Sequence, residues 1–212
     1  MKHSNDTRII RMTYALDEES PHKYLHETLN ELLMRYKVYT GLTWTGIGKL
    51  GSYIHTYDDI TGRWRTLINT QDIKPALVIN VGTCGGSSET KPGDILVCNR
   101  FIDLDMTEIE RMGYQNMTIP ITVGTFDGVT CGTSDKFVLK EFDYENLHAY
   151  DMEAYSQARL CATMGIPFIA VKCVTDIVGQ NTHEDYRFNR DMAMKKLGEF
   201  ITPEFILSHM NI

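Results

Sequence analysis

The chain has 212 residues, of which 42% are hydrophobic and 23% charged, and its formal net charge is −7. That length suits one domain with a sizeable core, spanning residues 1–212, and would crowd two. The acidic balance and the lack of a long basic run exclude nucleic acid as a partner, because phosphate contacts need a basic face.

No apolar stretch approaches the ~18–20 residues that a bilayer span requires, so no membrane association is expected. Met1 to Asp6 is polar and leads directly into a strand-like run, which does not read as a signal peptide. The expected location is the cytoplasm. Cys84, Cys98, Cys131, Cys161 and Cys173 are well separated and lack metal-like spacing, so they read as small buried hydrophobes.

In chain order, Arg8 to Tyr14 predicts a strand. Ser20-Pro21 then opens a helix whose apolar stripe runs from Leu25 to Tyr36. Lys37 to Trp44 is β-like and is followed by a glycine turn, Gly46 to Gly51, with a helix starting near Lys49. Ala76 to Val81 is a continuous apolar run suited to a strand buried on both faces, and it ends in Gly82-Thr83-Cys84-Gly85-Gly86. Asp94 to Ile102 and Val129 to Gly132 predict further strands. Glu153 to Met164 predicts a helix stopped by Gly165 and Pro167; Phe168 to Val174 is another buried strand, and a long helix fills much of the last quarter. This alternation implies a single-domain α/β fold, a three-layer α/β/α arrangement with a mixed, largely parallel sheet. Ligands of such sheets gather at the carboxyl ends of the strands.

Several motifs fall at those ends. Gly46-Ile47-Gly48-Lys49-Leu50-Gly51 matches the dinucleotide fingerprint, but Asp72 precedes the next strand where a ribose-binding acid should follow it. A structural turn or a small-ligand loop therefore fits better than a nicotinamide or flavin site. The glycines and hydroxyl of Gly82 to Gly86 let backbone approach a ligand, or simply make a tight turn. Asp151 and Glu153 stand at a helix start, where acids also serve the macrodipole. Asp176 closes the last buried strand, either as a catalytic carboxylate or as a helix cap. Asp17-Glu18-Glu19, taken alone, reads as solvated surface.

Together, the acidic loop, G-I-G-K, G-T-C-G-G, P-G-D-I, S-D-K-F-V, D-M-E-A and K-C-V-T-D resemble the nucleoside phosphorylase superfamily. The likeness is closest to its hydrolytic branch, the methylthioadenosine/S-adenosylhomocysteine nucleosidases, and runs from about residue 8 to 200. The resemblance implies that Glu19 activates the attacking water and that Asp176 protonates purine N7. It implies that Glu153 binds the ribose hydroxyls, that Met152 packs on the sugar, and that Thr83 sits beside the water or ribose. Phe137 and the backbone of Val138 would hold the base, and Lys172 and Thr175 of the K-C-V-T-D element would join the substrate contacts. It also implies a homodimer, a small-molecule purine nucleoside as partner, and no metal or redox cofactor. The chain departs from the pattern between Val38 and Gly46 and again between Tyr114 and Val129, which leaves the 5′ substituent open.

The chemistry explains the residue types. Cleaving an N-glycosidic bond leaves positive charge on the ribose and negative charge on the purine. A protonated acid neutralises the base, an ionised one deprotonates water, and an anion beside the sugar favours the transition state. Phosphorolysis would need arginines where Glu19 stands and is the less favoured alternative. A non-catalytic nucleoside-binding protein on the same fold is the other.

Overall fold

The computed structural model describes residues 9–15, 37–43, 55–58, 63–66, 77–113, 119–124 and 126–210. The expected helix after Ser20, the Gly46 to Gly51 motif and Glu19 lie outside the described residues.

The N-terminal elements are β1 (Ile9–Ala15), β2 (Lys37–Thr43) and the antiparallel pair β3 (His55–Asp58) and β4 (Arg63–Thr66). β5 (Leu77–Gly86) is the long central strand, followed by β6 (Ile95–Asp103) and helix α1 (Leu104–Arg111). Next come β7 (Ile121–Thr122), β8 (Val129–Thr133) and β9 (Leu147–Asp151). The chain finishes with α2 (Ala154–Met164), β10 (Phe168–Ile177), α3 (Thr182–Phe200) and α4 (Pro203–Met210). The strands legible as apolar runs are present. The β3–β4 hairpin, β7, β9 and α1 are additional, and the long helix expected in the last quarter is divided into α3 and α4.

The sheet is mixed, and it closes on itself. β5 pairs with β10 in parallel, β10 with β6 antiparallel, β6 with β8 and β8 with β9 in parallel, and β9 returns antiparallel to β5. β1 and β2 extend from the outer edge of β5 in parallel. β5 shares that edge between two partners: β1 pairs with it from Leu77 to Val81, and β9 only at Gly85 and Gly86. Between them, Gly82 to Cys84 have no strand neighbour on that side among the described residues.

Helices cover both faces. Leu77, Ile79 and Val81 with Ile169, Val171 and Cys173 pack against Ala193, Met194 and Leu197 of α3. On the other face, Val78, Phe168, Ala170 and Val174 pack with Ala154, Ala158 and Cys161 of α2. All five cysteines are buried and free, as expected of small core side chains. Gly165 adopts the left-handed conformation that ends α2 (φ 61°), and Ile166 N–H bonds the Cys161 carbonyl across it. No helix among the described residues is long and apolar enough to cross a membrane.

β10 is irregular near its carboxyl end. Val174 pairs with Cys84, but Asp176 pairs with Gly85, so Thr175 is one residue too many. Such a bulge reverses which face the later side chains meet. Cys173 faces α3 and Val174 faces α2; regular alternation would return Ile177 to the α3 side. Ile177 instead joins the α2 cluster.

Candidate active site

The bulge sits at the rim of a cavity of about 230 Å³. Its walls come from Gly82 to Gly85 of β5, Lys136 to Val138, Tyr150 to Glu153, Thr175, Asp176 and Val178, and from Thr182 and Tyr186 of α3. A larger and more open hollow of about 370 Å³ lies over Ser87, Glu141 and His148. The smaller cavity is the one in which the expected residues meet. Thr83, Phe137, Val138, Met152, Glu153, Thr175 and Asp176 all line it.

Asp176 is 2% exposed, and burial raises its carboxyl pKa above the ordinary value. Its Oδ1 lies 2.7 Å from Thr175 Oγ1, while Oδ2 has no partner among the described residues. Thr175 Oγ1 is also 3.1 Å from the Cys84 carbonyl and carries a single proton. Donated to Asp176 Oδ1, that proton leaves Oδ2 as the oxygen that carries the carboxyl's own proton. Asn189 Nδ2 donates to the Thr175 carbonyl (2.8 Å) and ties the bulge to α3.

The two acids at the start of α2 divide their roles. Asp151 makes the structural contacts: Oδ1 accepts from Thr133 Oγ1 (2.6 Å), and Oδ2 accepts from the Ala154 backbone N–H (3.0 Å). Glu153 occupies the N-cap position without a side-chain capping bond, and it lines the cavity. Lys172, 1% exposed, does not line the cavity. Its Nζ is 2.6 Å from Asp151 Oδ2 and 3.4 Å from Glu153 Oε2, which makes it a support for the carboxylate rather than a wall of the pocket. Burial alone would lower the lysine pKa, but the two carboxylates outweigh it and raise it. Glu153 is pushed up to about 7 by burial, against the pull of Lys172.

Phe137 is 40% exposed and packs on rings from the first turns of α3, 4.6 Å from His183 and 5.8 Å from Tyr186 between centroids. Its segment is anchored by Asp105 of α1, which accepts from Ser134 Oγ and the Asp135 N–H, both at 3.0 Å. Sequence reasoning did not single out Asp105, Tyr150, Val178, Thr182 or Tyr186. Each looks ordinary in its local segment, and only the closed sheet and the packing of α3 bring them together.

Residues 108–203 match the Phosphorylase superfamily. The chain has the phosphorylase-superfamily fold. Among curated relatives, 5′-methylthioadenosine/S-adenosylhomocysteine nucleosidase from Psychromonas ingrahamii is 27% identical over 200 residues, covering 80% of this chain and 81% of the relative. The enzyme of that name from Bacillus subtilis is 27% identical over 171 residues, covering 67% and 70%. Solved phosphorylase-superfamily folds superpose nearly end to end. Futalosine hydrolase of Helicobacter pylori gives a TM-score of 0.64 at 14% identity, covering 97% of each chain. S-adenosylhomocysteine nucleosidase of Streptococcus pyogenes, in complex with 5-methylthiotubericidin, gives 0.60 at 17% identity, covering 98% of each. In this fold the cavity lies at the carboxyl ends of β5 and β10, the position expected for a ligand of a parallel sheet.

Proposed function

We propose that this protein is a purine nucleosidase that hydrolyses the N-glycosidic bond of an adenine nucleoside of the methylthioadenosine kind, releasing free base and sugar. The observation that carries the reading is a single cavity shared by Asp176, a buried carboxyl with one oxygen unpartnered among the described residues, and Glu153, a carboxylate braced by Lys172. The similarity to the Psychromonas and Bacillus nucleosidases supports it.

In this reading Asp176 delivers its proton to purine N7 as the glycosidic bond lengthens, which neutralises the leaving base. Burial favours the protonated carboxyl that this step needs. Glu153 accepts hydrogen bonds from the ribose hydroxyls and, as an anion, stabilises the oxocarbenium-like transition state. Met152 packs on the sugar, Thr83 lies beside it, and Phe137 with Val138 holds the base. Thr175 fixes the orientation of Asp176. Glu19, four residues beyond the end of β1, takes the proton of the attacking water; β1 ends beside Val81, next to the glycine segment.

The reading also includes a single domain, a cytoplasmic homodimer and no metal or redox cofactor. Met112, just beyond α1, is 77% exposed, and a large apolar side chain left open in this way supports a second subunit over it. The test is chromatographic detection of free base from a nucleoside panel with and without phosphate. Phosphate-independent release of base and free sugar is expected. A sugar 1-phosphate as the main product would make the protein a phosphorylase.

A further inference from the structure

Four buried side-chain polar atoms lack a hydrogen-bond partner among the described residues: Asn80 Oδ1, Arg100 Nε, Asp176 Oδ2 and Thr182 Oγ1. Two of the four line the same cavity. A buried polar atom without a partner is destabilising, so two in one cavity point to ligand atoms that complete them. Asp176 Oδ2 has its assignment in purine N7. Thr182, only 3% exposed, has none.

The position of Thr182 restricts what it can meet. It opens α3, and the next residue, His183, packs at a tilt against Phe137, the ring assigned to the base. Glu153 and Met152, assigned to the sugar, enter the lining from a different part of the chain, at the β9–α2 junction. Thr182 is therefore at the base end. The edge of a purine that presents N7 to Asp176 has C8–H on one side of N7 and the 6-substituent on the other. The 6-substituent alone forms strong hydrogen bonds. A hydroxyl both donates and accepts, so it can pair with a 6-amino or a 6-oxo group.

We propose that the Thr182 hydroxyl binds the purine 6-substituent, and that the enzyme consequently cleaves 6-oxopurine nucleosides as well as 6-aminopurine ones. The inference rests on the nucleosidase reading and extends it to the choice of base.

The experiment compares kcat/KM for three nucleosides with the same 5′-methylthio group: 6-amino, 6-oxo and 6-unsubstituted. Each is assayed with the wild type, Thr182→Val and Thr182→Ser, and thermal unfolding checks that the variants fold. Thr182→Val removes the hydroxyl at nearly constant volume and should lower kcat/KM by about three- to tenfold on the 6-amino and 6-oxo substrates, the usual effect of one lost neutral hydrogen bond. It should leave the 6-unsubstituted substrate unchanged, and Thr182→Ser should restore wild-type values on all three. An equal loss on all three substrates would show a structural role and overturn the contact, as would no loss on any. Wild-type cleavage of the 6-amino substrate alone would overturn the wider base range. If the wild type releases base from none of the three, the nucleosidase reading falls, and this inference with it.

Discussion

Lys172 Nζ lies 2.6 Å from Asp151 Oδ2 and 3.4 Å from Glu153 Oε2, so one buried cation holds both the capping carboxylate and the carboxylate of the cavity-lining residue in the same turn. A cation at this depth is stable only with its partners in place. Lys172→Met leaves two acids beneath the cavity without their counter-charge. We expect it to destabilise the protein by about 3–5 kcal/mol in chemical denaturation, the usual result of removing one member of a buried pair. An effect below about 1 kcal/mol would mean that Lys172 is not the support described.

The pKa of Glu153, raised from 4.5 to about 7, has a kinetic and a thermodynamic consequence. If the ionised form binds the ribose, kcat/KM should fall as pH drops through about 7, and Glu153→Gln should abolish that limb while lowering activity about 10²–10³-fold. For stability the sign is the reverse. A group raised in the folded state favours folding fully below its unfolded pKa, and that contribution is lost as pH rises through the folded value. The wild type should therefore lose stability relative to Glu153→Gln between pH 4.5 and about 7, as read from denaturation midpoints across the range.

Gly85 leaves little room for a side chain. A Cβ there would lie 3.0 Å from Val178 Cγ2 and 3.3 Å from Asp176 Oδ2. Gly85→Ala should press on the proposed acid and lower kcat about 10- to 100-fold, because misplacing a reacting group by a fraction of an ångström is enough. Unchanged steady-state rates would place the reacting proton elsewhere.

Asp176→Asn and Glu19→Gln should each remove most hydrolysis, by about 10²–10⁴-fold, with unfolding transitions like those of the wild type. Losses below tenfold at both positions would reject the acid and base assignments together.

The buried strands were legible because Ala76 to Val81 and Phe168 to Val174 are unbroken apolar runs of strand length, and α2 because Gly165 and Pro167 stop it. The site was legible where motifs stand at strand ends, as at Thr83, Glu153 and Asp176. Thr175 shows the limit. β10 is buried along its whole length, so its sequence shows no alternation from which an extra residue could be detected, and the bulge that redirects Asp176 is invisible. Lys172 was placed with the ligand contacts because its strand leads to the site, but a long side chain can pass beneath a pocket as easily as into it. Closure of the sheet was equally hidden, since only two residues of β5 pair with β9.

That closure binds the fate of the site to the fate of the whole molecule. No strand of the ring can peel away without opening the ladders on both its sides, so the carboxylates on β9 and β10 cannot be released by fraying. The Val174 and Val178 amides, bonded to the Asp94 and Gly86 carbonyls, should exchange with deuterium only through global opening. The proposed site, held this way, does not soften before the protein melts; adaptation to a new ligand then falls to the segments outside the ring, where change leaves the spacing of the acids intact.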